Sequence, residues 1–221
     1  MINNGYNIYS QYGEDGIIEH LLSLLNIKIG ECCEFGMSGI KYSNTFNLVK
    51  HKNWYGVYIE RAPHHLKNLK EIIVDYNVTI IEKNIEIAGE NSLNSILANT
   101  KLKKDFDILS IDVDGIDYHI WDSLKNYNPK IIIIEINPFI KVGVEYINDK
   151  KQFSSSFTST LNLGISKGYS LVCMTGNLIF VRTDLICFPI INPNDLYLND
   201  AYMIGDREIG YKRYIKKTNI I

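Results

Sequence analysis

Apolar runs of strand length alternate along the chain with stretches whose apolar residues recur every three or four positions, the pattern of a parallel α/β sheet covered by helices. The runs predict strands at 31–35, 55–60, 79–83, 107–112, 130–136, 169–175 and 178–182. A first helix over 14–25 carries Ile17, Ile18, Leu21, Leu22 and Leu25 at the offsets of one buried face. Ser43 or Asn44 can cap a second helix reaching about 50, and Pro63 suits the first turn of a third reaching about 76. Ser92 opens "SLNSILAN", Gly115 or Ile116 precedes a helix through 124 that "NYNP" stops, and a last helix covers 155–167 with Gly168 as its stop. The tripeptide "TGN" at 175–177 joins the last two strands as a hairpin. The expected fold is therefore a seven-stranded, mostly parallel α/β sheet with a terminal antiparallel hairpin and helices on both faces.

Composition narrows this picture without redirecting it. A chain of 221 residues, 46% hydrophobic and 22% charged, fits one domain over 1–221, with an N-terminal helical segment (1–28) and a C-terminal extension (184–221). The irregular pieces 1–13, 138–154 and 184–221 are where a substrate lid would arise. A net charge of −2 gives no footprint for nucleic acid, and "YKRYIKK" (211–217) reads as a solvated end. No segment reaches the roughly 18 apolar residues of a membrane span, and the polar start "MINNGYNIYSQYGEDG" lacks the regions of a signal peptide, so a cytoplasmic location is expected. Cys32, Cys33, Cys173 and Cys187 lack the spacing of a disulfide framework or zinc site and are expected as reduced thiols.

The ends of the predicted strands carry the candidate chemistry. "CCEFGMSG" (32–39) is a strand breaking into Gly36 and Gly39, which allow a sharp turn and close approach of backbone to a ligand. The next strand ends in Glu60, an acid placed to accept both hydroxyls of a ribose or to cap the following helix. Asn84 follows the third strand, where it can read an adenine edge or serve as an ordinary loop residue. Only two glycines in the turn argue against a pyrophosphate, and hence against NAD. Asp112 and Glu135 end the fourth and fifth strands and should flank one crevice, with Asp114 and Asn137 nearby. Like charges this close must be solvated, share a proton, hold a cation or face a cationic ligand.

The segments "SQYGEDGI" (10–17), "EFGMSGIKYSNT" (34–45), "WYGVYIE" (54–60), "DFDILSIDVDGIDYHIWDSL" (105–124) and "IIIIEIN" (131–137), in this order, resemble a class I S-adenosylmethionine-dependent methyltransferase of the FkbM-like branch, over roughly residues 10–182. The resemblance implies a Rossmann-like fold and methylation of hydroxyls on sugars or other small polar metabolites. It implies that Glu34, Gly36 and Gly39 line the methionine part of S-adenosylmethionine, that Glu60 binds its ribose and that Gln11 closes over the pocket. Asp114 stands where the branch more often has glutamate, which shortens the reach of that acid.

On this reading Asp112 lies against the cofactor and is the base or acceptor-orienting residue; His119 is a second candidate base, unless it only packs or faces solvent. Glu135 completes the catalytic set. Asp112, Asp114 and Glu135 offer hard oxygen ligands for Mg²⁺, unless one caps the helix starting near Asp117 and the others meet water. His64 and His65 read as surface residues. The expected acceptor is a small molecule, a sugar or nucleotide or phospho-metabolite, met by Tyr146, Asn148, Asp149, Lys150, Lys151, Tyr197, Tyr202 and Arg207. A homodimer is compatible with these features. Three rival readings exist: a D-x-D metal-dependent glycosyltransferase, which leaves the glycine turn and Glu60 unexplained; a nicotinamide oxidoreductase, which explains Glu60 but needs a better phosphate turn; and a methyltransferase-fold protein that binds without catalysis.

Overall fold

The computed structural model describes residues 4–37, 39–148 and 154–190. Seven strands form one sheet: β1 (Glu31–Phe35), β2 (Tyr55–Glu60), β3 (Val78–Glu82), β4 (Ile108–Ile111), β5 (Ile131–Glu135), β6 (Tyr169–Met174) and β7 (Asn177–Arg182). Between them run α1 (Glu14–Leu24), α2 (Phe46–Lys52), α3 (Pro63–Ile72), α4 (Leu93–Leu97), α5 (Asp117–Ser123) and α6 (Phe157–Ser166). The strand order is β3-β2-β1-β4-β5-β7-β6, with β7 antiparallel to both neighbours and the other pairings parallel. The mostly parallel sheet with its terminal hairpin is thus present.

Side chains alternate across the strands, and the two faces collect different helices. Cys32, Tyr58, Ile108, Ile131 and Ile133 point to the side packed by Ile17, Ile18 and Leu21 of α1, Phe46 and Leu48 of α2 and Leu69 of α3. Cys33, Phe35, Val57, Leu109, Ile132 and Ile134 point to the side packed by Leu93 and Leu97 of α4, Ile120 and Trp121 of α5 and Phe157 of α6. Burial on both faces explains why the central strands are continuously apolar. Cys32, Cys33 and Cys173 are buried free thiols within this core, and Cys187 is a free, exposed one.

Helix ends depart from expectation where tertiary contacts intervene. The third helix stops at Ile72 rather than near 76, and the Tyr76 ring turns edge-on to Phe46 at 5.6 Å. The second starts at Phe46, because Ser43, Asn44 and Thr45 are drawn into hydrogen bonds with Glu34. Among the described residues no helix is long and apolar enough to cross a membrane.

The chain leaves β1 for β2 and β3 on one side, then crosses back to add β4 and β5 on the other. The reversal opens a crevice between the carboxyl ends of β1 and β4, the position where open parallel sheets bind ligands.

Candidate functional site

Gly36 and Asp112 meet at this crevice. Phe35 pairs with Ile111, so the next residues of the two strands emerge side by side. Gly36 has φ +82°, and a side-chain carbon there would overlap the carbonyl oxygen of Asp112. The glycine is thus required by the approach of β4 as well as by the turn. Gly39 has φ +95° and open space where its side chain would stand.

Glu34 lies just beneath this turn, buried, with both oxygens engaged. The Ser43 hydroxyl (2.6 Å), the Asn44 amide (2.7 Å), the Thr45 hydroxyl (2.6 Å) and the Thr45 amide (3.2 Å) all donate to it. Burial pushes its carboxyl up, and these donors pull it back. Ser43 also accepts from the Phe46 amide at 2.9 Å, and Asn44 Nδ2 donates to Ser110 of β4 at 3.1 Å. Glu34 therefore fixes the path of 43–45 from the glycine turn into α2.

Asp112 presents a different environment. It is partly buried and accepts no hydrogen bond from another described residue. Burial pushes its carboxyl well above the usual carboxylate range, and Glu135, Asp117, Asp114 and Glu34 push the same way. Oxygens of Asp112, Asp114 and Glu135 lie within 4.8 Å of one another. Asp114 is exposed and held at φ +57°.

The turn between β4 and α5 is organised by Asp117, which is fully buried. Its Oδ1 accepts from the Val113 amide at 2.7 Å and its Oδ2 from the Gly115 amide at 2.9 Å. Burial pushes its carboxyl up, and these two backbone donors pull it partly back. The Ser154 hydroxyl sits 2.7 Å from Glu135 Oε2 and 3.1 Å from Asp117 Oδ2, joining the ends of β5 and α5. Asn137 is buried, and its Oδ1 accepts from the Phe139 amide.

The remaining expected residues are more dispersed. Glu60 ends β2, one strand from Gly36; its Oε1 accepts from the amides of Arg61 and Ala62, each at 2.7 Å. His65 Nδ1 stands 3.5 Å from Glu60 Oε2, so His65 belongs to the surroundings of this acid rather than to a remote surface. Asn84 is exposed and accepts from Arg61 Nη1 at 3.4 Å. Gln11 has an exposed side chain. His119 faces the carbonyl oxygen of Asn148 at 2.9 Å through Nε2, which must therefore carry the proton, leaving Nδ1 as the basic nitrogen. Of the acceptor-side residues, Tyr146 and Asn148 are linked by a 3.2 Å hydrogen bond, while Asp149, Lys150, Lys151, Tyr197, Tyr202 and Arg207 lie outside the described residues, as does "YKRYIKK".

Sequence reasoning missed Asp117, Ser154 and the acids of the N-terminal segment. Asp117 had a signal: an acid two to four residues after the backbone of a tight D-G turn can accept its amides. Asp15 gathers the amides of Ile8, Tyr9 and Ser10 on one oxygen, and Glu14 accepts from Thr175 and Asn177 of the hairpin. Together they tie the "SQYGED" segment to the same edge of the sheet. Ser154 had no signal, since its partners come from the end of β5 and the start of α5, both remote from it in sequence.

No family model matches the sequence, and no curated protein matches it. Several solved structures do match in fold. One is the small RNA methyltransferase HEN1, with a TM-score of 0.50 and 15% identity, covering 80% of this chain and 25% of that one. Another is the N-terminal domain of EvdMO1 in the presence of SAH and D-fucose (TM-score 0.49, 9% identity, 80% and 88% covered). A third is CalS10 with bound SAM, an amino pentose methyltransferase from Micromonospora echinaspora (0.46, 11%, 80% and 99%). Two of these neighbours are named as methyltransferases and the third was solved with SAH; the likeness to this chain is one of fold, an α/β, Rossmann-like architecture around a seven-stranded sheet.

Proposed function

We propose that this chain is a methyltransferase of the FkbM-like kind that O-methylates a small polar acceptor, such as a sugar or phosphorylated metabolite of surface polysaccharide or secondary metabolism. The observation that carries this reading is the meeting of the Gly36 turn and the Asp112 carboxylate, which receives no hydrogen bond among the described residues, at the carboxyl ends of β1 and β4, one strand from Glu60. The open space at Gly39 suits a ligand lying along the turn. The acids suit a cation, and a sulfonium is one.

S-adenosylmethionine, when bound, supplies an electrophilic methyl group. Glu34 holds the 43–45 segment in place, the glycine turn would admit the donor, and Glu60 Oε2, 3.5 Å from His65 Nδ1, would accept from a ribose hydroxyl. Asp112 would accept the proton that an acceptor hydroxyl must lose on methylation. A carboxyl pushed upward by burial and by its acidic neighbours is a stronger base than a solvated one, which suits this role. His119 is the second candidate: its Nε2 proton goes to the Asn148 carbonyl, which leaves Nδ1 as the nitrogen that could accept one.

The donor set of Asp112, Asp114 and Glu135 also fits a hard divalent ion such as Mg²⁺, which would neutralise the cluster and orient an acceptor oxygen. The same acids would repel a phosphate backbone, which favours a small acceptor over nucleic acid; a phosphorylated acceptor would carry its phosphate away from the cluster or bind through the divalent ion. Residence in the cytoplasm and action as a homodimer belong to the same proposal.

Thermal shift measurements with S-adenosylmethionine, S-adenosylhomocysteine, NAD and a UDP-sugar with Mn²⁺ test the reading. Stabilisation by the first two alone is expected. Stabilisation by the UDP-sugar without any by S-adenosylhomocysteine would overturn it in favour of a glycosyltransferase. A mass-spectrometric screen of sugars and phospho-metabolites for gain of one methyl group then identifies the acceptor; no gain with any acceptor, despite donor binding, favours a binding protein.

A further inference from the structure

Ser154 occupies a position that neither a loop serine nor a helix cap explains. It is 3% exposed and lies two residues before Ser156, whose own hydroxyl accepts from the Ser159 amide at the start of α6. Its Oγ reaches Glu135 Oε2 at 2.7 Å and Asp117 Oδ2 at 3.1 Å. A serine hydroxyl has one proton to give, so it cannot serve two carboxylates at once. Asp117 already receives two backbone amides, one on each oxygen, and its contact with Ser154 is the longer. The proton therefore goes to Glu135.

The neighbours of Ser154 hold it there independently of that bond. The Ser155 hydroxyl accepts from the Asn148 amide at 3.1 Å, the Asn137 amide donates to the Ser155 carbonyl at 2.9 Å, and the Ser156 amide donates to the Tyr146 carbonyl at 2.9 Å. The 154–156 segment is thus stitched to the chain just after β5 and to the 146–148 segment, on the side where an acceptor would enter. A hydroxyl on so fixed a backbone restricts the rotamers of the carboxylate that it binds.

We propose that Ser154 is a positioning residue: its hydroxyl fixes the Glu135 carboxylate beside Asp112 and Asp114, and so couples the acid cluster to the segment leading into α6. The proposal rests on the methyltransferase reading for the purpose of the cluster, but the orientation of Glu135 can be measured apart from it.

The test uses the full chain with ¹³C-labelled glutamate, in which the Glu135 side-chain carboxyl signal is assigned by its loss in Glu135→Gln. Ser154→Ala is expected to shift and broaden that signal while the protein stays folded, and Ser154→Thr, which keeps the hydroxyl, is expected to restore it. Isothermal titration with S-adenosylhomocysteine runs beside it, with affinity expected within twofold of wild type in both variants. An unmoved Glu135 signal in Ser154→Ala, in protein that binds S-adenosylhomocysteine, overturns the role of Ser154 alone. Failure of Ser154→Thr to restore the signal also overturns it, because loss of packing would then explain the shift. Absence of binding to the wild-type chain overturns the methyltransferase reading, and with it the purpose assigned to Ser154.

Discussion

Glu34 and Asp112 stand at the carboxyl ends of adjacent strands, yet they have opposite surroundings. Glu34 receives four donors from three consecutive residues, whereas Asp112 receives none from the described residues and faces three other acids besides Glu34. A buried charge with its hydrogen bonds satisfied holds structure together, and one left among like charges stores repulsion that a cationic ligand or a proton can relieve. The difference separates the scaffold of the site from its chemistry.

The comparison can be broken first at the glycine that lies between the two acids. Gly36→Ala places a carbon against the Asp112 carbonyl at a positive φ and is expected to cost about 3 kcal/mol or more in urea unfolding, enough to prevent folding of a marginal domain. Gly39→Ala, with open space around it, is expected to cost only about 1 kcal/mol, for its φ alone. Equal effects at the two glycines would show that Gly36 serves the turn rather than the approach of β4.

Glu34→Ala tests the scaffold. Removal of the carboxylate leaves the Ser43, Asn44 and Thr45 donors unpaired and is expected to cost about 2–3 kcal/mol, with Glu34→Gln recovering part of it. A loss below about 0.5 kcal/mol would remove Glu34 from that role.

Asp112→Asn should act in the reverse sense. The folded-state carboxyl lies above its ordinary value, so the native state binds more protons than the unfolded one in that window, and the ionised group becomes more costly as pH rises through it. The substitution is therefore expected to stabilise the protein by on the order of 1 kcal/mol at neutral and alkaline pH, a gain that fades towards acid where both states are protonated. Melting temperatures from pH 4 to 9 check this. Methyl transfer should be lost while S-adenosylhomocysteine still binds; unchanged turnover would take Asp112 out of the mechanism.

The smallest effect is expected at His119. Its ring tethers α5 to the Asn148 carbonyl, so His119→Gln should cost under about 1 kcal/mol and leave S-adenosylhomocysteine affinity within twofold. A turnover loss of 100-fold or more at full donor affinity would restore His119 as the base.

Much of this site could be read before the structure, because its residues sit where local pattern changes. Gly36, Glu60, Asp112 and Glu135 each end or follow an apolar run, and a parallel sheet places such positions at one edge. Asn84 and Gln11 also sit at such junctions, but their side chains are exposed, since nothing in a loop residue's own sequence specifies which way it faces. His65 was misplaced for the complementary reason: the helix turn after β2 brings it back within 3.5 Å of Glu60.

The sequence by itself determined the secondary structure and the kinds of group at the strand ends, because periodicity and turn chemistry act over a few residues. Only the tertiary structure decided the strand order that sets Gly36 against Asp112, which carboxylate is satisfied, and that Ser154 lies between Asp117 and Glu135. Those outcomes depend on donors and backbones brought together from remote parts of the chain, and local propensity carries no information about which remote groups will meet.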